Sequence, residues 1–125
     1  MMTTLFPTLE EALELHRVLI ARFGGKSGVR DLGLLQSALG RPQTGYYGSL
    51  SLQAAALLQS LTMNHCFVDG NKRVAFALTA IFLRMNGQKL TVTADGGEEF
   101  LIQRVINGRA EIHEIAHWLE AHLSC

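Results

Sequence analysis

The segment that decides the fold runs from residue 65 to residue 73 and reads His65-Cys66-Phe67-Val68-Asp69-Gly70-Asn71-Lys72-Arg73. An apolar run, residues 74–83, follows it directly. Asp69-Gly70 is turn chemistry, because glycine tolerates positive φ and aspartate hydrogen-bonds to its own backbone neighbours. The residues after the turn recur at helical spacing and are apolar nearly all round. This pattern predicts a buried helix that begins at Gly70.

Two cations open this predicted helix. The first turn of a helix leaves backbone N–H groups unpaired and carries partial positive charge, so Lys72 and Arg73 stand where cations are disfavoured. A nearby negative group would offset them, and a phosphate suits such a place. The residues alone leave an alternative open, in which Asp69 caps the helix and both cations are ordinary surface charges.

The same segment resembles the signature of the Fic/Doc family, His-x-Phe-x-Asp/Glu-Gly-Asn-x-Arg. The six matching residues are His65, Phe67, Asp69, Gly70, Asn71 and Arg73. Lys72 and the short chain are more similar to the death-on-curing (Doc) branch than to the longer Fic proteins. Six positions matched at fixed spacing form a specific signal.

The resemblance implies an enzyme that transfers part of a nucleotide to a protein hydroxyl, with ATP as substrate and Mg²⁺ as cofactor. His65 would be the general base, since histidine side chains titrate near neutral pH. Asp69 would hold the Mg²⁺ ion, and the Asn71 side chain would add a donor to a cradle of backbone N–H groups. The residues expected to bind the nucleotide phosphates are Gly70, Asn71, Lys72 and Arg73, with Arg73 also counted as catalytic.

Two departures from the Fic pattern bear on the reaction. Phe76 occupies the position where many Fic proteins carry a second arginine, and Lys72 occupies a position where many carry glycine. In the Doc branch, a lysine here accompanies reversed nucleotide binding and transfer of the γ-phosphate, which makes a kinase. Asp69 and Gly70 are more similar to Fic proteins. We therefore expect phosphoryl transfer, with AMP transfer as the alternative.

The resemblance also implies partners. Doc toxins are restrained by a small antitoxin protein, and elongation factor Tu is a target among them. Some Fic proteins inhibit themselves through a Ser/Thr-x-x-x-Glu helix, but no serine or threonine here is followed by glutamate at that spacing. Restraint is therefore expected from a separate chain. A degenerate, non-enzymatic binding module is a further alternative, against which the intact signature argues.

Composition narrows the class of protein. The chain has 125 residues, enough for one core, so residues 1–125 are expected to form a single Fic/Doc domain. Eleven basic and eleven acidic side chains give a formal net charge of zero, which does not favour binding to nucleic acid or to an anionic membrane. Residues 1–11 do not resemble a signal peptide, and two cysteines are too few for a disulfide framework. A cytoplasmic protein is expected.

Start and stop signals predict an all-α, compact bundle of about six helices around the buried helix that begins at Gly70. Thr8 and Glu11 form a capping box for the first helix, which Gly24-Gly25 ends. The other expected caps are Asp31, Ser51, and Asp95 in a capping box with Glu98. Residues 90–93 are β-prone but short, so they predict an extended connection or a minor strand pair.

Several single positions carry further expectations. Extending the apolar stripe of the third helix by one turn places His65 towards the neighbouring helix. Residues 41–48 predict a surface loop, which is a candidate for the flap that holds the target polypeptide in Fic-type proteins; an ordinary connector is the alternative. His16 and Cys66 are expected to be packed, and Phe67 is expected to anchor the loop inward.

A second motif points to another class of enzyme. His113-Glu114-Ile115-Ala116-His117 spells the His-Glu-x-x-His pattern of zinc hydrolases. However, its histidines fall on the face opposite the apolar stripe of the last helix, and no third ligand is indicated. A solvated helix face is the favoured interpretation, and zinc hydrolysis remains a remote alternative.

Overall fold

The structure, a computed structural model, describes residues 3–125 and is mostly helical in that range. Its helices are α1 (Leu9–Phe23), α2 (Leu32–Gly40), α3 (Leu50–Met63), α4 (Asn71–Met85), α5 (Ala94–Phe100) and α6 (Ile112–Ala121). A 3-10 turn, Arg41–Gln43, follows α2, and a π-helical segment, Leu101–Asn107, continues α5. The predicted all-α bundle of six helices is confirmed.

One small sheet supplements the helices. β1 (Lys89–Leu90) pairs antiparallel with β2 (Leu123–Ser124), so that Leu90 lies opposite Leu123. Of the two alternatives expected for residues 90–93, an extended connection or a minor strand pair, the structure shows a strand pair, but β1 overlaps those residues only at Leu90. The pair joins residues 123–124 to the connection between α4 and α5.

The core is centred on α3, which packs against both α4 and α6. Nine of its 14 residues are buried, as expected for a helix enclosed on several sides. The helix of the signature, α4, packs against α1, α3 and α5. Ile81, which the sequence placed in the buried stripe of α4, is instead 40% exposed because one face of α4 lies at the surface.

Two of the predicted helix caps are confirmed. The Thr8 side chain accepts a hydrogen bond from the Glu11 N–H, and the Glu11 side chain accepts one from the Thr8 N–H. Asp31 accepts from the Leu34 N–H at 3.0 Å and caps α2. Such caps satisfy N–H groups that the first turn of a helix leaves free.

Two other predicted caps are wrong. Ser49, not Ser51, caps α3, and the Ser51 hydroxyl is buried and donates to the Glu120 carboxylate at 2.6 Å. Thr93 caps α5 by accepting from the Gly96 N–H at 3.0 Å, which leaves Asp95 inside the first turn. In both cases the capping residue stands two positions earlier than expected.

No helix within residues 3–125 combines the length and the apolar character needed to cross a bilayer.

Candidate active site

The turn that opens α4 is built around Gly70. Its φ of +77° lies in the left-handed region, and its carbonyl accepts from the Val74 N–H at 3.0 Å. A Cβ at this position would lie 3.3 Å from Ile20 Cδ1 of α1, so both the conformation and the close packing favour glycine. Gly70 has no side chain to cap the helix. The first N–H groups of α4 therefore remain available to an acceptor from outside, as an anion site requires.

Asn71 closes the loop that precedes α4. Its side-chain oxygen accepts from the Phe67 N–H, and its side-chain nitrogen donates to the Phe67 carbonyl, each at 2.9 Å. From the sequence, this side chain is expected to add a donor for the phosphates. The structure uses its oxygen and one of its two amide hydrogens on the backbone of the loop. The second amide hydrogen and the backbone N–H of Asn71 are left to an anion.

Phe67 and His16 anchor the loop that precedes α4 against α1. Phe67 is only 1% exposed, which confirms it as the inward anchor, and its ring stacks on the His16 ring at a centroid distance of 4.0 Å. His16 is buried in α1, and its Nε2 is 2.9 Å from the Asp69 carbonyl oxygen. The expectation of a packed histidine is confirmed, and the packing has a use: it fixes the backbone of Asp69.

The Asp69 carboxylate is exposed and held by two backbone donors. One oxygen accepts from the Lys26 N–H at 3.0 Å and the other from the Gly70 N–H at 2.9 Å. These bonds, the first of them above all, lower the pKa of Asp69 below its usual value of 3.8. Gly25 makes room for this contact, because a Cβ there would lie 2.8 Å from an Asp69 oxygen.

An ionised, exposed and oriented carboxylate fits a hard divalent cation. Each Asp69 oxygen uses one lone pair on the backbone and retains another, so the group can still ligate. Mg²⁺ is typically held by one or two carboxylates together with phosphate oxygens. The residues present therefore fit a Mg²⁺ ion that arrives with a nucleotide.

We expect the contribution of Asp69 to stability to depend on pH. Its folded pKa is depressed, so its bonds stabilise the fold above pH 3.8, and this stabilisation is lost as the pH falls through the lower folded value. Asp69→Asn, which mimics the protonated acid, should thus lower the free energy of unfolding at pH 6. Denaturant unfolding at a series of pH values should show this difference shrinking below pH 3.8. A difference that does not change with pH would contradict the assignment.

His65 lies just beyond α3, which ends at Met63. Its φ is +50° and its side chain is exposed, so the expectation that it points towards the neighbouring helix is wrong. The apolar stripe of α3 could not be extended to it, because the backbone leaves the helical path first. Among residues 3–125, the imidazole has no hydrogen bond or ion pair, so its ring nitrogens are open to solvent.

The loop between α1 and α2, residues 24–31, lies along the signature segment and pairs with it. Val29 and Phe67 form an isolated antiparallel bridge, and the Val68 N–H donates to the Gly28 carbonyl at 3.0 Å. The N–H groups of Arg30 and Asp31 both donate to the Cys66 carbonyl, at 2.8 and 3.0 Å. No side-chain pattern in the sequence indicates this role, because the contacts are made by backbone groups far apart in the chain.

Residues 41–48, the candidate flap, make their contacts elsewhere. The Arg41 guanidinium donates to the Tyr47 hydroxyl and to the side chains of Gln59 and Ser60 on α3. Within the described part of the chain, it is the loop of residues 24–31, and not this segment, whose backbone pairs with the signature.

Lys72 and Arg73 line one cavity of about 260 Å³ between α1, α4 and α5. The Arg73 guanidinium lies over the Phe23 ring, 4.2 Å from its centroid, a cation–π contact that holds it against α1. Phe76, the residue at the place of the second Fic arginine, lines the same cavity. Asp95 and Glu98 at the start of α5 supply acidic groups to its rim.

Within the described residues, no third ligand is grouped with His113 and His117 of the second motif. His113, Glu114 and His117 are all exposed on α6, which confirms the solvated face. Glu114 accepts from the Glu111 N–H at 3.2 Å as part of the cap of α6. The ligand atoms of Glu111, His113 and Glu114 lie within 4.8 Å of one another. All three residues are exposed, and exposed acidic groups commonly lie this close together without binding a metal ion.

Cys66 is fully buried inside the signature loop. Burial, with a smaller effect of the Asp31 carboxylate, raises the pKa of its thiol. Because the thiolate is the nucleophilic form, this thiol is poorly suited to attack a substrate. The expected packing role is confirmed.

Comparison with known proteins places the chain in a family. A family model described as Fic/DOC family matches residues 6–83, which is more than half of the chain. The chain belongs to the Fic/DOC family. The match contains α1, the loop of residues 24–31 and the whole signature segment, whereas α5, which lines the cavity beside Lys72 and Arg73, lies outside it.

Two relatives are similar over most of their lengths. A protein of Mycolicibacterium smegmatis named Toxin Doc is 43% identical, over 86% of this chain and 90% of its own length. A protein of Escherichia phage P1 named Protein kinase doc is 35% identical, over 71% of this chain and 81% of its own length. The Doc branch of the family, which Lys72 and the short chain indicate, agrees with the names of both relatives.

Proposed function

We propose that the protein is a Doc-like toxin that transfers the γ-phosphate of ATP to a hydroxyl group of a target protein. The observation that carries the proposal is the entrance to α4, where Gly70 leaves the helix N-terminus without a side-chain cap beside Lys72 and Arg73. A phosphate group meets there both free N–H donors and positive charge. The name of the phage P1 relative, Protein kinase doc, supports the choice of phosphoryl transfer.

Each residue of the site would have a defined part in this reaction. The exposed His65 would take the proton of the target hydroxyl as its oxygen forms a bond to the γ-phosphorus. The bond from that phosphorus to the β–γ bridging oxygen breaks, and ADP leaves with the electron pair. Lys72, Arg73 and the first N–H groups of α4 would bind the negative charge of the phosphates.

Asp69 would hold Mg²⁺ in this site, together with oxygens of the nucleotide. The ion would offset phosphate charge when it is bound. The protein's own contribution is to keep the Asp69 carboxylate ionised and aimed outward, through the N–H groups of Lys26 and Gly70.

The experiment that tests the function uses ATP labelled at the γ- or at the α-phosphate. The protein is incubated with Mg²⁺ and each label, once with cell lysate and once with purified elongation factor Tu, the target that the resemblance implies. Entry of the γ-label alone into a protein band supports phosphoryl transfer. Entry of the α-label would indicate AMP transfer instead. If a correctly folded preparation transfers neither label, both reactions are contradicted.

We also propose that a small antitoxin protein restrains the activity, as the name of the relative Toxin Doc suggests. Expression of the chain by itself in a bacterial host should then slow growth, and His65→Ala should relieve the effect because it removes the proposed base. Colony counts and growth curves measure both. Normal growth while intact protein accumulates would contradict the toxin role, whatever the labelling experiment gives.

A further inference from the structure

Arg30 connects the loop of residues 24–31 to the exposed histidine. Its Nε donates to the His65 carbonyl, and one terminal nitrogen donates to the Asn64 carbonyl at 2.9 Å. These carbonyls follow the last turn of α3, where a helix leaves acceptors unpaired and attracts positive charge. The planar fork of a guanidinium can donate to two neighbouring acceptors at once, which a lysine ammonium does less specifically.

The backbone that carries Arg30 is itself fixed on both sides. Val29 pairs with Phe67 on one side, and on the other Asp31 caps α2. The Arg30 N–H donates to the Cys66 carbonyl at 2.8 Å. The guanidinium therefore reaches the His65 carbonyl from a segment whose backbone is already tied to the signature loop.

His65 needs such a support, because its own surroundings provide little. A φ of +50° is uncommon for a residue other than glycine. Within the described residues, its imidazole makes no hydrogen bond or ion pair, so the backbone is what anchors this residue and sets where its side chain begins. The Arg30 guanidinium contacts this backbone at the carbonyls of residues 64 and 65, beside the helical bond from the Asn64 N–H to the Ser60 carbonyl.

We propose that Arg30 is a positioning residue, which holds the His65 backbone in the conformation that presents the imidazole to the substrate hydroxyl. The inference rests on the proposed role of His65 as general base. Arg30 acts through His65, by way of backbone carbonyls. Its removal should therefore affect the chemical step more than the binding of ATP, since a small misplacement of a reacting group has a large effect on rate.

The kinetic test compares Arg30→Ala with Arg17→Ala. Arg17 is an exposed arginine of α1 whose one ion-pair partner among residues 3–125 is Glu14, so it is a matched control. Arg30→Ala should lower kcat by about tenfold or more with the KM for ATP within about twofold, while Arg17→Ala changes neither. Added methylguanidinium should restore part of the kcat of Arg30→Ala, and methylammonium should not. Unchanged kcat, or a loss that appears in KM alone, overturns the proposal.

A second measurement does not depend on activity. In protein with ¹³C-labelled histidine, the NMR signals of the His65 ring should move in Arg30→Ala, while those of His113 and His117 on α6 should not. If the alanine variant does not fold, Arg30→Gln keeps one donor and takes its place. Unmoved His65 signals overturn the positioning role. If the His65 signals move in Arg30→Ala but the unmutated protein transfers no label, the contact between Arg30 and His65 is supported and the proposed function is contradicted.

Discussion

Replacing His65 by alanine should lower the rate of phosphoryl transfer by about a hundredfold or more, the usual scale for loss of a general base. The variant should fold, because the imidazole is exposed. It should still bind ATP, because the proposed phosphate site is the N-terminus of α4 and not His65. Single-turnover transfer of γ-label, together with a separate measurement of ATP binding, checks both parts of the expectation.

The backbone of residue 65 calls for a second variant. At a φ of +50°, alanine could change the loop as well as remove the base. Asparagine tolerates the left-handed region better than most residues and cannot serve as a base, so His65→Asn should show the same loss with an intact loop. His117→Ala on the exposed face of α6 is the control and should keep full activity. Near-normal transfer by either His65 variant would remove this residue from the mechanism.

Local sequence was sufficient to predict the parts of the site that local chemistry determines. The Asp69-Gly70 turn, the start of α4 and the inward Phe67 all follow from residue types and their immediate spacing. The capping box of Thr8 and Glu11 has the same origin, since both partners lie within one helical turn. None of these features needs knowledge of what lies across the bundle.

The features that sequence analysis missed depend on long-range contacts. Ser49 and Ser51 can each cap a helix, and the choice between them agrees with a tertiary contact, the hydrogen bond from Ser51 to Glu120 on α6. The loop of residues 24–31 has no hydrophobic period. It contacts the signature segment through backbone groups. One example is the hydrogen bond from the Lys26 N–H to the Asp69 carboxylate, which joins residues 43 positions apart in the sequence. Side-chain patterns carry little information about such bonds.

Lys72 is the residue on which the choice of reaction should depend. It lines the same cavity as Arg73 and Phe76. Many Fic proteins have a glycine at the position of Lys72 and a second arginine at the position of Phe76. Our hypothesis is that the Lys72 side chain fills the space in which a second phosphate would be oriented, and so leaves the γ-phosphate beside His65. Phe76 places an aromatic ring where the Fic pattern has its second arginine. The loss of that positive charge agrees with a cavity that does not bind a second phosphate beside Phe76.

Lys72→Gly should therefore abolish most of the transfer of γ-label and open a route for the α-label. Asp69, Asn71 and Arg73 remain in place in this variant. The expected change in the free energy of unfolding is small, about 1 kcal/mol, because the substitution lies in the first turn of α4. Lys72→Ala removes the same bulk with a residue that favours helix, so it separates the effect of space from that of helix stability.

Lys72→Met is the matched variant that decides between bulk and charge. It removes the positive charge but keeps a side chain of similar length, so the proposed obstruction remains. If Lys72 blocks the second phosphate site, the methionine variant should transfer no α-label, whereas the glycine and alanine variants should. If Lys72 only neutralises phosphate charge, which a point charge can do from several geometries, all three variants should lose γ-transfer alike. Equal losses without any α-label would refute the obstruction and leave Lys72 as a source of positive charge at the entrance of α4.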